Sequence, residues 1–164
     1  MMQHLQTLQN KIFTKETLAK TIAAQRMYGR KIVFTNGCFD LLHPGHIRYL
    51  SAARDLGDFL VIGLNSDDSV SRLKGPKRPI QKENVRAELM AALHVVDAIV
   101  LFNEDTPLEL ISYLKPDILV KGGDYTINTI VGADVVMQNG GRVEVIPFED
   151  GFSTTNLIDT IKDA

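Results

Sequence analysis

Cysteine is almost absent from this chain: Cys38 is the only one in 164 residues, so no disulfide can form within the chain, and a reducing compartment is expected. Tryptophan is missing altogether. No run approaches 18 uninterrupted apolar residues, which excludes a conventional membrane-spanning helix. The N-terminus has no basic segment followed by an apolar core, so secretion is not signalled. Neither sign of charge dominates, and a net charge of -2 argues against bulk nucleic-acid binding. Three catalytic signatures are also missing. Without G-x-x-x-x-G-K-[ST] there is no P-loop, without G-x-G-x-x-G no dinucleotide fingerprint, and without G-x-S-x-G no hydrolase elbow. What remains is an ordinary globular composition, 45% hydrophobic and 23% charged, at a length that suits one domain. A cytoplasmic protein with a single domain is expected.

From Lys31 onward, apolar runs alternate with helical patterns. Strands are predicted over 31–35, 59–64, 98–102, 117–121 and 142–147. Helices are predicted over 44–56, 66–73, 82–94, 106–114, 130–139 and 153–162. Near-continuous Val/Ile/Leu strands belong to a parallel sheet covered on both faces, and strict strand–helix alternation says the same. The fold class expected is α/β, a doubly wound five-stranded parallel sheet of Rossmann-like form over 31–164. Residues 1–30 precede it as a helical extension. There, Leu5, Leu8 and Ile12 form a weak stripe, and Thr14 caps a helix reaching Tyr28, with Gly29 as its stop.

Such sheets bind ligands beyond the carboxyl ends of their strands. Polar and glycine-rich clusters should therefore follow strands, and Thr35–His46, Asn65–Asp68, Lys121–Asp124 and Phe148–Thr155 all do. Thr35–His46 is the most informative. Asn36-Gly37 breaks the strand, His43 and His46 flank Pro44-Gly45, and a helix starts at once. Pro44 suits the first helical position, where its missing donor is no loss. That places His43 at the cap and His46 in the first turn, at a helix end that favours anions. A metal held by Cys38, His43 and His46 is the competing reading, but it lacks a matched further ligand, since His4 and His94 are poorly placed. Arg72, Lys74, Lys77 and Arg78 form a basic loop broken by Gly75, Pro76 and Pro79. It reads either as a solvated face or as a flap over polyphosphate, with Arg86 on the next helix pointing to the same rim. Ser153 is placed to cap the last helix. Cys38 has no obvious base beside it apart from the histidines, so a small buried residue is the simpler reading than a nucleophile.

N-G-C-F-D-L-L-H-P-G-H together with the late G-F-S-T-T resembles the nucleotidyltransferases marked by the H-x-G-H signature. The likeness runs from about Lys31 to Ile161. It is strongest to the adenylyltransferase domain of bifunctional ADP-heptose synthases, through K-G-P-K-R-P-I, K-P-D-I-L-V-K-G-G-D-Y and I-V-G-A-D. The resemblance implies transfer of AMP from ATP to D-glycero-β-D-manno-heptose 1-phosphate, with Mg2+ carried mainly by the substrate's phosphates. It implies catalytic roles for His43, His46 and Lys77. Nucleotide and phosphates would be held by Gly37, Cys38, Phe39, Lys74, Arg78, Arg86, Lys121, Gly122, Gly123, Asp124, Ser153, Thr154 and Thr155. Asn36, Asp40, Asn65 and Asp67 would meet the sugar phosphate. A sugar-kinase domain is usually fused ahead of this module; a stand-alone form is expected here, with a separate heptose kinase supplying the acceptor. Partners are expected to be small molecules, without nucleic acid or membrane, in a homo-oligomer. A cytidylyltransferase acting on glycerol 3-phosphate, or a nucleotide-binding module without catalysis, are the alternatives.

Overall fold

A computed structural model describes residues 3–147 and 151–162. Phe148, Glu149 and Asp150, which the predicted loop Phe148–Thr155 includes, lie outside the described residues. The chain runs α1 (Gln3–Gln9), β1 (Ile12–Phe13), α2 (Lys15–Met27), β2 (Ile32–Gly37), α3 (Pro44–Arg54), β3 (Phe59–Asn65), α4 (Asp67–Lys74), α5 (Glu83–Ala92), β4 (Ala98–Phe102), α6 (Leu108–Leu114), β5 (Ile118–Gly122), α7 (Ala133–Gln138), β6 (Arg142–Ile146) and α8 (Thr154–Lys162). The strands form one parallel sheet in the order β1-β4-β3-β2-β5-β6. The five predicted strands are present, but the sheet has six. Ile12 and Phe13 leave the helical stripe and pair with Ile99 and Val100 at one edge. A two-residue strand is too short to show a period of two, so its apolar pair blended into the preceding stripe.

Alternation along each strand builds two cores. Ile32, Phe34, Val61, Val100 and Leu119 face α2, α6 and α7, where Leu18, Ile22, Ile111 and Val136 meet them. Val33, Leu60, Ile62, Ile99, Ile118 and Val120 face the other way, onto Leu50 and Ala53 of α3 and Ala87, Met90 and Ala91 of α5. Both faces are dry, which is why these strands read as unbroken apolar runs. The described part of the N-terminal segment, residues 3–30, shares in this packing: β1 joins the sheet, and α2 buries Leu18 and Ile22 completely. As expected, Thr14 caps α2, in a reciprocal capping box with Thr17, and Gly29 follows its end at φ +72°.

Two helices begin more than one residue later than their patterns. The segment predicted as helix from 130 begins only at Ala133, because Gly132 sits at φ +85° and a 3-10 turn, Ile127–Thr129, comes first. Likewise α6 starts at Leu108, after Pro107, and not at 106. The sheet order reverses between β2 and β5, so the first chain connection leaves β2 toward β3 and the later one returns to its other side. A crevice opens there, beyond the carboxyl ends of these two strands.

Candidate active site

Two cavities meet at that crevice. The larger, about 520 Å³, is lined by Asn36–Asp40 from the end of β2 and the loop after it, Asn65 from β3, Lys121 and Gly122 from β5, and Tyr125 from the loop after β5. The smaller, about 380 Å³, lies between α3 and the start of α8 and includes His43, Arg48, Ile146, Pro147, Phe152 and Ser153–Thr155. His46, Tyr49, Lys74 and Thr154 line both. These shared side chains mark the boundary at which two ligands would touch.

The histidines are set there by the start of α3. His43 is the N-cap residue with extended backbone, Pro44 follows in the first turn, and the His46 N–H donates to the His43 carbonyl at 2.9 Å. The His43 imidazole does not cap its own helix. Instead the two rings stack with centroids 3.7 Å apart and 23° between planes. Phe39 meets His46 edge-on at 5.3 Å, and Phe152 lies over the far side of His43 at 6.5 Å. Gly45 makes this possible, since a Cβ there would come within 3.0 Å of both His43 Nδ1 and Phe152 Cβ. Both Nδ1 atoms are buried without a hydrogen-bond partner. An orphaned polar atom is costly, so a pair of them beside a cavity marks a place where a ligand supplies the missing partner. Burial pushes the His46 pKa down to about 4, helped by His43 and Lys74, and burial lowers that of His43 as well. Both rings are therefore neutral near pH 7, and each offers one N–H donor.

Beneath them Tyr49 ties three elements together. Its hydroxyl lies 2.6 Å from Thr35 Oγ1 on β2 and donates to the Val120 carbonyl on β5 at 3.3 Å. Burial raises its pKa to about 12. Lys121 reaches across the crevice from β5 and donates to Asn36 Oδ1 at 2.8 Å. Desolvation lowers its pKa, because its partner is a neutral amide. Burial pushes the Cys38 thiol up despite the nearby Lys74 and Arg86, which leaves it protonated and a poor nucleophile.

Several predicted contacts fall elsewhere. Arg86 is fully buried and lines neither cavity; its guanidinium donates to the carbonyls of Cys38, Asn65 and Gln81 and to Asp67. Asp67 turns to Arg86 and Lys82 and away from the cavities. Asp40 reaches the cavity wall, but its carboxylate accepts from Arg78 Nε at 2.6 Å and from the N–H groups of Ile80 and Gln81 at 2.9 Å. Burial opposes its charge, yet these hydrogen bonds outweigh burial and hold the carboxyl below its ordinary range. Lys77 is exposed in the turn from Gly75 to Arg78, outside both cavities. Gly123 and Asp124 line neither; Gly123 adopts φ +119° and bonds the Ile146 carbonyl. Asp105, Thr106 and Pro107 line the larger cavity and were not predicted. They follow β4, so the rule about strand ends pointed to them as well. Tyr49 carries no sequence signal beyond an aromatic residue on a helix, whereas Tyr125 ends the K-P-D-I-L-V-K-G-G-D-Y run.

The profile of the cytidylyltransferase-like family matches residues 34–159, which run from within β2 into α8. The chain belongs to that family. It is 63% identical over 152 residues to the bifunctional protein HldE of Trichlorobacter lovleyi, an alignment covering 93% of this chain and 31% of that one. The HldE protein of Campylobacter jejuni is 56% identical over 155 residues, covering 94% and 32%. The chain thus spans about a third of the length of these curated relatives. Among solved structures it is similar to a lipopolysaccharide core biosynthesis protein from Thermoplasma volcanium, with 34% identity and a TM-score of 0.59, covering 74% of this chain and 98% of that one. A pantoate-beta-alanine ligase from Francisella tularensis, 12% identical with a TM-score of 0.59, shares the fold. No helix among the described residues is long and apolar enough to cross a membrane.

Proposed function

We propose that this chain transfers AMP from ATP to D-glycero-β-D-manno-heptose 1-phosphate, releasing pyrophosphate and forming ADP-heptose for lipopolysaccharide core assembly. The observation that carries transfer at phosphorus is the stacked His43–His46 pair, with both Nδ1 atoms buried and unpartnered where the two cavities join. The choice of sugar phosphate and of ATP rests on the extended likeness to the HldE proteins. In this reading a phosphate oxygen of the acceptor attacks the α-phosphorus in line, forming one P–O bond as the bond to pyrophosphate breaks. No covalent enzyme intermediate is needed, so the protein's work is positioning and charge stabilisation. His43 and His46 donate hydrogen bonds to the triphosphate as charge shifts toward the leaving group. Lys74, at the shared wall, supplies a full positive charge to the same oxygens. Ser153–Thr155, at the start of α8, close the triphosphate from the other side. Lys121 and Asn36 meet a ligand at the β2–β5 crevice, and Asn65 meets the acceptor.

The described residues gather no group of three His, Cys, Asp or Glu around a common point. Asp40 and Asp67 are already engaged by arginines. Among the described residues none forms a cage for Mg2+, and in this reading the ion arrives on the nucleotide's phosphates. Because the acceptor already carries its phosphate, an ATP-dependent sugar phosphorylation must precede this step, wherever that activity resides.

The deciding experiment offers ATP and CTP, each with heptose 1-phosphate or glycerol 3-phosphate, and measures pyrophosphate. Release with ATP and heptose 1-phosphate is expected. Release only with CTP and glycerol 3-phosphate would make the chain an alcohol-phosphate cytidylyltransferase. ATP binding with no release under any pairing would make it a binding module.

A further inference from the structure

The segment Cys38–Asp40 is gripped from both sides by groups that never reach the cavity. On one side, Arg86 Nη1 donates to the Cys38 carbonyl at 2.7 Å and to the Asn65 carbonyl at 2.8 Å. On the other, the Asp40 carboxylate receives Arg78 Nε and the N–H groups of Ile80 and Gln81. Arg86 Nε then donates to the Gln81 carbonyl at 3.0 Å, which closes a ring from Cys38 through Asp40 and Gln81 back to Arg86. Arg86 is fully buried, and the Asp40 side chain is 1% exposed. Its Nη2 also holds Asp67 at the start of α4, the helix that ends in Lys74.

Phe39 sits inside this ring with φ +43°, a left-handed conformation that a bulky residue avoids unless its surroundings impose it. That backbone turns its ring over Gly37, where a Cβ would lie 2.9 Å from the ring, and edge-on to His46. His46 has no hydrogen bond to hold its Nδ1, so its orientation depends on the rings of Phe39 and His43. We propose that Arg86 and Asp40 are positioning residues: the ring they close imposes the left-handed turn at Phe39, and Phe39 sets the imidazole of His46 for transfer. The catalytic part of this inference rests on the function proposed above; the structural part does not.

Asp40→Asn keeps the shape but sets an amide N–H among the donors of Ile80, Gln81 and Arg78. Phe39→Leu keeps apolar bulk but removes the ring edge. Both are made in the full chain and read by kcat, KM for ATP, and NMR titration of the His46 imidazole, which His43 and Lys74 also face. Folded Asp40→Asn protein should lose on the order of 10²-fold in kcat while KM for ATP stays within about 3-fold. Its His46 should titrate well above the wild-type value of about 4. Phe39→Leu should show the same split, and it decides the matter should Asp40→Asn not fold. Unchanged kcat and titration in a folded variant overturn the inference. So does a loss of thermal stability with kcat intact, or a raised KM alone. A wild-type protein that releases no pyrophosphate overturns the proposed function instead, while the His46 titration still tests the ring.

Discussion

Four of the cations around the crevice divide by residue type; Arg48, which lines the smaller cavity over the Phe152 ring, stands outside that division. Arg78 and Arg86 are spent on the protein: one clasps Asp40, and the other spans three carbonyls and a carboxylate. Lys74 and Lys121 face open volume, and among the described residues neither is paired with a carboxylate. A guanidinium is a rigid fork of five donors and can bind several loops at once. An ammonium is a point charge on a flexible stem, suited to follow phosphate oxygens. The same positive charge thus builds the loops in one case and is left for the ligand in the other.

Breaking the arginine half should have the largest effect. Arg86→Ala leaves Asp67 and the buried carbonyls without their donor, and urea denaturation should register a loss of roughly 3–5 kcal/mol. A loss under about 1 kcal/mol would mean that the guanidinium is not a structural tie. The lysine half should behave in the opposite way. Lys74→Ala should lower kcat by about 10²-fold, as for loss of one oxyanion donor, with the urea midpoint nearly unchanged. If stability falls and turnover does not, the division by residue type is wrong.

Acid probes the same field. His46 has its folded pKa pushed from 6.5 down to about 4, so the unfolded chain takes up its proton first. Stability should therefore fall as pH drops from about 6.5 toward about 4. His46→Gln should flatten that part of the urea-midpoint profile. Lys74→Ala should flatten it less, because burial and not Lys74 is the larger cause. The smallest effect is expected at Lys77. Its exposed position outside both cavities predicts that Lys77→Ala changes kcat/KM by less than about 3-fold. A loss as large as that at Lys74 would show that the Gly75–Arg78 turn closes over the substrate during turnover.

Lys77 also shows where reading from sequence stops. Arg72, Lys74, Lys77 and Arg78 look alike in a basic run, and the expectation there favoured Lys77. The last turn of α4 aims Lys74 at both cavities, while Arg78 folds back onto Asp40. Residue type and spacing carry no information about that choice, because it depends on which acceptor lies opposite. Asp40 and Arg86 were similarly expected to touch substrate and instead hold the protein to itself. By contrast, Pro44 and the paired histidines were legible, since a helix start imposes local geometry that needs no distant partner.

The sequence by itself determined the parallel α/β sheet, the helix beginning at Pro44, and the H-x-G-H pair at the end of the first long strand. Those features follow from periodicity and from backbone rules acting within a few residues. Only the tertiary structure decided that Ile12–Phe13 is a sixth strand and that Arg86 and Asp40 face inward. Each of these depends on pairing between segments distant in the chain. A buried donor or carboxylate must find its partner wherever the fold brings one.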